Sequence, residues 1–526
     1  MKAKEIIFED EAREKLAQGI DTLADVVAIT LGPKGRSVGL QSSWGSPTIT
    51  SDGNSIAKDV ELKDTFLNMG VSMGKEVAAK IKEKSGDGTT TGIVLLRALV
   101  NAGIKNIASG ANPISIKRGM DKALEVVLKE LDAISLTVKD NKDTLNIATV
   151  SASGNTEIGS KIAECFEKVG KTGVVAIEEG KGTETSIELV EGMQFDRGYL
   201  SSYFATNSEK LTVEMSSPNI LITDKKISSV QEILPILQHI ATTGQELFII
   251  AEDIEGDALS TLVINKLRGS LKVAAVKAPG FGDRRKALLE DIAILTGAQV
   301  VTEDKGLLLR DATAEVLGKA DQIIVDKEKT TIVGGRGNSE LLKGRIAQID
   351  AELTRTTANY DQEKLQERKA KLQGGVAVIK VGAPTESEMK KKKQMFEDSL
   401  NSTRSALEEG IVPGGGVALL RASRSNIKLS KDEEVGAQIL LKACEAPFKQ
   451  IVSNTGFDPS VILNDVLEKE KSFGFNAISE KVEDLLLSGV IDPVKVVKNS
   501  LTHAVSMAGI VLLSEAVIAD AEEETA

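Results

Sequence analysis

The apolar spacing of this chain changes character twice, and that double change limits the possible folds more than any single motif does. Residues 1–133 read mainly as helices; across 9–29, Leu16, Ile20, Leu23 and Val27 recur every three or four residues, the period of one buried helical face. From about 191 to 376, the short apolar runs NILIT (219–223), LFIIAE (247–252), VAAVKA (273–278) and QIIVD (322–326) alternate with helical stretches, as an α/β layer requires. From about 410 onward the helical pattern returns. A chain of 526 residues is too long for one hydrophobic core, and the helical ends suggest one domain split in sequence around an inserted middle. Within that middle, 339–371 is charge-rich with Leu342, Ile346, Ile349 and Leu353 on one face, which predicts two solvated helices packed antiparallel. The stretch PTIT-SDGN-SIAKDVEL reads as a hairpin, because Asp-Gly between β-prone runs is a strong turn signal.

Composition removes several function classes. A net charge of −12 with only 3% aromatic residues argues against a nucleic-acid binder, which needs a basic face and stacking rings. Two cysteines, Cys165 and Cys444, and two histidines, His239 and His503, leave little material for a zinc site or a disulfide framework. The opening MKAKEIIFEDEAREK has no apolar core of a signal peptide. No uninterrupted apolar run approaches the roughly 18 residues of a membrane span; even AGIVLLSEAVIAD is broken by Glu515. The expectation is a soluble, cytoplasmic protein with no membrane and no nucleic-acid partner.

One segment suggests chemistry. Gly86-Asp87-Gly88-Thr89-Thr90-Thr91 stands at the start of a helical pattern over 89–109. A helix N-terminus offers free N–H groups to phosphate oxygens, glycines permit close approach, and hydroxyls add donors. Asp87 would repel a bare phosphate but suits a Mg²⁺ shared with it. The competing reading is a plain helix cap, since Asp and Thr are common N-cap residues. Other nucleotide motifs fail: Gly170-Lys171-Thr172 supplies half of a Walker A loop, but Cys165 holds the place of its first glycine. Thr30-Leu31-Gly32-Pro33-Lys34-Gly35 reads as a loop or turn. Gly414-Gly415-Gly416 either brings backbone to a ligand or relieves packing.

Taken in order, TLGPKG (30–35), SDG (51–53), GDGTTT (86–91), VEGMQFDRGYLS (190–201), KAPGFGDRRK (277–286), EKLQERKAKLQGGVAVIKVGA (363–383) and EEGIVPGGG (408–416) resemble the GroEL-type (group I) chaperonins. The resemblance runs from residue 2 to about 518. It implies a multi-domain α/β subunit: a mainly helical equatorial ATP-binding domain (1–133 and 410–526), a small intermediate hinge domain (134–190 and 377–409) and an α/β apical domain for clients and lid (191–376). It further implies an ATPase that folds unfolded client proteins, a homo-oligomer of seven-membered rings commonly stacked in pairs, and a GroES-type cochaperonin. A specialised paralogue acting as a client-binding holdase or scaffold with weak ATPase is the alternative.

By the same resemblance, ATP is met by Thr30, Leu31, Gly32, Pro33, Ser51, Asp87, Gly88, Thr89, Thr90 and Thr91, with Gly415, Asn476, Ala477, Ile478 and Asp492 on the base and ribose side. Asp87 is the implied Mg²⁺ ligand, with K⁺ a further candidate ion. Asp398 matches the carboxylate that activates the attacking water, assisted by Asp52. Read from its own helix, Asp398 lies about 200° from Phe396, away from the stripe Met389, Phe396, Leu400 and Leu407; such a carboxylate is usually solvated surface. In the implied layout that helix belongs to another domain than GDGTTT, so hinge closure would bring the base to the phosphate.

The stretches QEILPILQHI (231–240) and DALSTLVINKL (257–267) are apolar over more than one helical face, which means either burial or the binding of apolar partners. The resemblance assigns Tyr199, Tyr203, Phe204, Leu234, Leu237, Leu259, Val263 and Ile264 to the client and lid surface. The chain departs from the family pattern at Ser51, where the family usually has Lys or Asn, at Pro413 before the triple glycine, and at Phe457, where a carboxylate is usual beside Lys449 and Asp458 at the ring–ring contact.

Overall fold

The computed structural model describes residues 3–41, 47–138, 141–152, 154–170, 173–180, 182–207, 210–355, 359–425, 427 and 429–520. Trp44, Lys171, Thr172 and the closing AEEETA lie outside them. The chain forms two compact units, Met1–Ala163 with Pro384–Ala526, and Glu164–Ala383.

The first unit is helical. Helix Glu9–Ala28 opens on Glu9, Asp10 and Glu11, acids that complement the positive end of a helix, and buries Leu16, Ile20, Leu23 and Val27 as the spacing predicts. It packs on Thr65–Ser85 and Thr89–Ala108. Strand Lys4–Phe8 pairs antiparallel with Ala516–Asp520, Phe8 facing Ala516, so the two sequence ends of the unit are joined by a ladder. Two helices, Thr89–Ala108 and Val494–Leu513, are long and apolar enough to cross a membrane by length and composition, a point the search for uninterrupted apolar runs missed. Here they pack on each other in the core.

The expected hairpin at 51–54 is not formed. Thr48–Thr50 pairs back with Val38–Leu40, and Asp52 instead caps helix Gly53–Asp59, its carboxylate accepting from Ser55 N at 2.9 Å. Asp is as good an N-cap as a turn residue, and burial of Ile56 and Ala57 on one helical face decides for the helix.

In the second unit an eight-stranded mixed sheet runs Lys272–Lys277, Glu246–Ala251, Asn219–Thr223, Gly318–Val325, Thr330–Gly335, Gly192–Phe195, with Val300–Val301 and Val213–Ser216 alongside. The first three strands are parallel, joined by helical crossovers, and all four apolar runs read from the sequence lie in this sheet. A three-stranded sheet has Val376–Val381 at its centre, parallel to Val174–Glu179 and antiparallel to Ser186–Val190. The charged helices Ser339–Arg355 and Asn359–Gln373 pack together. They are pinned to helix Gly282–Thr296 by fully buried Asp291, which receives Arg345 Nε at 2.7 Å and Arg368 Nε at 2.8 Å.

Candidate functional site

GDGTTT joins two helices end to end. Helix Thr65–Ser85 closes on Gly86 in the left-handed region, φ 73°, with Gly86 N–H donating to Lys82 O at 3.0 Å. Gly88, φ 90°, is the N-cap of Thr89–Ala108, and no side chain caps that helix. Asp87 Oδ1 accepts instead from the adjacent Gly88 N–H at 2.6 Å. The plain-cap reading therefore fails, and the first-turn N–H groups have no side-chain cap. Ser500 Oγ, on helix Val494–Leu513, donates to Gly88 O at 3.0 Å and fixes the loop from below.

Two further segments meet this loop. A Cβ on buried Gly53 would overlap Thr90 Oγ1 and lie 3.2 Å from Thr89 Oγ1, so the Ser51-Asp52-Gly53 segment abuts the threonines. Helix Glu386–Glu409 packs on the other side: a Cβ on Gly86 would overlap Asn401 Cβ, and Ser405 Oγ donates to Ser85 O at 3.3 Å. Asp398 on that helix is not the solvated carboxylate expected from the apolar stripe. Its side chain is 19% exposed, and its Oδ1 accepts from Lys82 Nζ and from Gln394 Nε2, the latter at 2.8 Å. The helix that carries Asp398 packs against the loop in this structure.

The electrostatics follow from three carboxylates converging. Burial pushes Asp398 up to about 7, opposed by Lys82 and reinforced by the charges of Asp52 and Asp87. Burial also raises Asp87, against the Gly88 N–H and Lys82, while Asp52 adds to the rise. Asp492, paired with Val412 across the strands Ile411–Pro413 and Ile491–Pro493, is pushed up to about 7 by burial and then by the charge of Asp87. Among the described residues no three His, Cys, Asp or Glu side chains form a metal cage. Mg²⁺ held through one or two carboxylates plus substrate phosphates needs no such cage. Asp87 beside Thr89–Thr91 fits that mode.

The remaining candidates are held by contacts of their own. Thr30–Pro33 belongs to a tight loop, 30–35, in which Gly35 N donates to Gly32 O at 2.9 Å. Asn454 Nδ2 holds it through Leu31 O at 2.8 Å, and Lys34 pairs with Glu480 at 3.2 Å. Asn476 Oδ1 accepts from Ile478 N at 2.9 Å; Ala477 is buried and Ile478 exposed. Gly415 sits against Phe475 O, 3.6 Å from where its Cβ would lie, which brings the triple glycine to the Asn476 turn. Ser51 is exposed.

With this geometry in place, comparison with known proteins is decisive: the chain matches the TCP-1/cpn60 chaperonin family over residues 23–522. The chain belongs to this family. It is similar to Chaperonin GroEL 3 of Protochlamydia amoebophila (strain UWE25), 66% identical over 523 residues that cover 99% of this chain and 98% of that one.

In the second unit of the chaperonin, the apolar candidates divide. Tyr203 is 62% and Ile264 47% exposed. Leu234, Leu259, Val263 and Tyr199 are half-buried. Phe204 and Leu237, assigned to the same surface by resemblance, lie in the core, because their side chains point under helices Gly256–Leu267 and Leu234–Thr243 rather than out from them. Leu267, 60% exposed, extends the outer face. Sequence reasoning also missed Lys82, Gln394, Asn401 and Ser500. Lys82 alone left a trace: a cation in the last turn before a phosphate-loop candidate.

Proposed function

We propose that this chaperonin is an ATP-driven folding machine whose hydrolytic site is built at the Gly86–Thr91 loop. The observation that carries the reading is Asp398, held by Lys82 on a second helix that packs against Gly86, beside a helix N-terminus that no side chain caps. Thr30–Pro33, Ser51 and Gly88–Thr91 bind and orient the phosphates, Asp87 holds Mg²⁺, and Gly415, Asn476–Ile478 and Asp492 line the base and ribose side. Bound Mg²⁺ supplies charge neutralisation on the phosphate oxygens. In hydrolysis the water oxygen bonds the γ-phosphorus, the bond to the β,γ-bridging oxygen breaks, and ADP leaves. Asp398 takes the water proton, a role suited to a carboxyl titrating near neutral pH, while Asp52 steadies the water.

In this reading the chain divides into equatorial (1–133 and 410–526), intermediate (134–190 and 377–409) and apical (191–376) domains. It works in the cytoplasm as seven-membered rings with a GroES-type lid, and K⁺ is a candidate second ion. Unfolded clients dock on Tyr203, Ile264 and Leu267 with Leu234, Leu259 and Val263, since exposed contiguous apolar area binds without sequence preference. A client-binding scaffold with weak hydrolysis is the second reading, favoured by exposed Ser51. Asp398→Ala should nearly abolish Mg²⁺-dependent ATPase while leaving nucleotide bound, and particle images should show seven-fold rings. Purified protein that hydrolyses no ATP under any lid condition would sink the machine, and a stable monomer would sink the ring.

A further inference from the structure

Lys82 has no role in the hydrolysis as proposed above, yet it pairs with Asp398 and its charge interacts with those of Asp52 and Asp87. It lies in the last turn of helix Thr65–Ser85, and its own carbonyl receives the Gly86 N–H that bends the chain into the loop. Its side chain is only 22% exposed, unusual for a residue type that is almost never withdrawn from water unless paired. The ammonium reaches across 316 positions of sequence to Asp398 Oδ1. Gln394 Nε2 donates to that same oxygen, so two donors hold Oδ1, and the described residues supply no hydrogen bond to Oδ2. The carboxylate is thereby anchored by one oxygen with the other left for a proton. Lys82 is also the cation whose charge acts on both Asp87 and Asp398, and it feels Asp52 as well.

We propose that Lys82 is a positioning residue of the hydrolytic site, holding the Asp398 carboxylate by Oδ1 over the phosphate loop and placing there the cation that Ser51 does not provide. The inference rests on the ATPase reading above. Three carboxylates brought this close repel one another, and a phosphate adds further negative charge. A fixed ammonium among them lets the carboxylates and an anion share the space. The charge comes from the helix before the loop rather than from the strand before Asp52, so the loop and the base are coupled through one side chain. A purely structural ion pair, tying helix Thr65–Ser85 to Glu386–Glu409, would serve stability and leave turnover alone in any variant that folds.

The test uses the assembled full chain with Lys82→Met, Lys82→Arg, Asp398→Asn and the double variant Lys82→Met/Asp398→Asn. We expect Lys82→Met to lower kcat by about tenfold or more, with KM and the Kd for Mg-ADP from calorimetry within about threefold of the parent. Lys82→Arg should restore kcat to within about threefold. In single-turnover measurements, Lys82→Met should cost less than about twofold once Asp398 is Asn, because the two act as a unit. Without nucleotide, Lys82→Met should lower Tm by stranding a charge, and Asp398→Asn in that background should return it. If Lys82→Met does not assemble, Lys82→Gln takes its place. A Lys82→Met or Lys82→Gln enzyme with kcat within twofold of the parent overturns the proposal, as does an equal loss with and without Asp398, or a folded Lys82→Arg that stays inactive. A parent chain without ATPase would defeat the hydrolytic reading itself; an active parent that loses turnover in Asp398→Asn but not in Lys82→Met defeats only the role of Lys82.

Discussion

Gly88→Ala isolates what the phosphate loop demands of its backbone. At φ 90° a residue with a Cβ pays about 1–2 kcal/mol in the left-handed region. The added Cβ would also stand 2.5 Å from Ser500 Oγ and 2.7 Å from Val496 Cγ1. Both neighbours are buried on helix Val494–Leu513 and have little room to retreat, so overpacking adds about 1–3 kcal/mol. The total, about 2–5 kcal/mol, appears as lost stability if the loop stays in place and as lost affinity if the loop shifts, because displaced N–H groups no longer converge on the anion. A shift worth about 2 kcal/mol weakens Mg-ADP binding about thirtyfold. Gly110→Ala is the control: its φ is 94°, and nothing lies within 4 Å of the added Cβ, so it reports the backbone term alone. Calorimetric Kd for Mg-ADP and thermal unfolding of the assembled protein read both quantities. The reasoning is refuted if Gly88→Ala binds Mg-ADP within threefold of the parent and melts no lower than Gly110→Ala.

Two further outcomes follow from buried charge. Asp492 has its folded-state pKa raised from 3.8 to about 7 by burial and the charge of Asp87, so its contribution to stability is fully present below about pH 3.8 and lost as pH rises through 7. Asp492→Asn should therefore raise the Tm of nucleotide-free protein at pH 8, by the equivalent of about 1–3 kcal/mol, with the gain shrinking toward zero near pH 4; a gain independent of pH contradicts this. Asp291→Ala leaves Arg345 and Arg368, both mostly buried, without their shared carboxylate and should cost about 3–5 kcal/mol. Hydrogen exchange should show the loosening first in Ser339–Arg355 and Asn359–Gln373, and unchanged protection there would count against the clamp.

Much of the architecture was legible because periodicity reports burial. The three- and four-residue spacing of Leu16, Ile20, Leu23 and Val27 and the short apolar runs of 219–326 each carry one simple consequence, a buried face or a buried strand. Asp52-Gly53 was misread because two local rules compete there and a long-range fact, the burial of Ile56 and Ala57, breaks the tie. GDGTTT was ambiguous for a similar reason. Whether Asp87 caps the helix depends on which N–H its carboxylate reaches, and only the Gly88 contact answers that.

Asp398 shows a different limit. An apolar stripe locates one buried face of a helix, and the opposite face is then assigned to water by default. Helix Glu386–Glu409 breaks that default: Phe396 and Leu400 are buried on its apolar side, while Ser399, Ser402, Thr403 and Ser405 are buried as well. These hydroxyls satisfy themselves locally or across the contact, Ser399 Oγ on Ala148 O at 2.6 Å, Thr403 Oγ1 on Ser399 O at 2.7 Å and Ser405 Oγ on Ser85 O, so a polar face enters the interior without an unpaired group. The clue in the sequence is side-chain size. A solvated face of a helix this charged would carry Lys and Glu, as 386–397 does, whereas 399–406, apart from apolar Leu400 and the one charge Arg404, turns to Ser, Asn, Thr and Ala. Small polar residues in a helix mark close approach by another backbone, and Asp398 stands at the edge of that approach, where it meets Lys82.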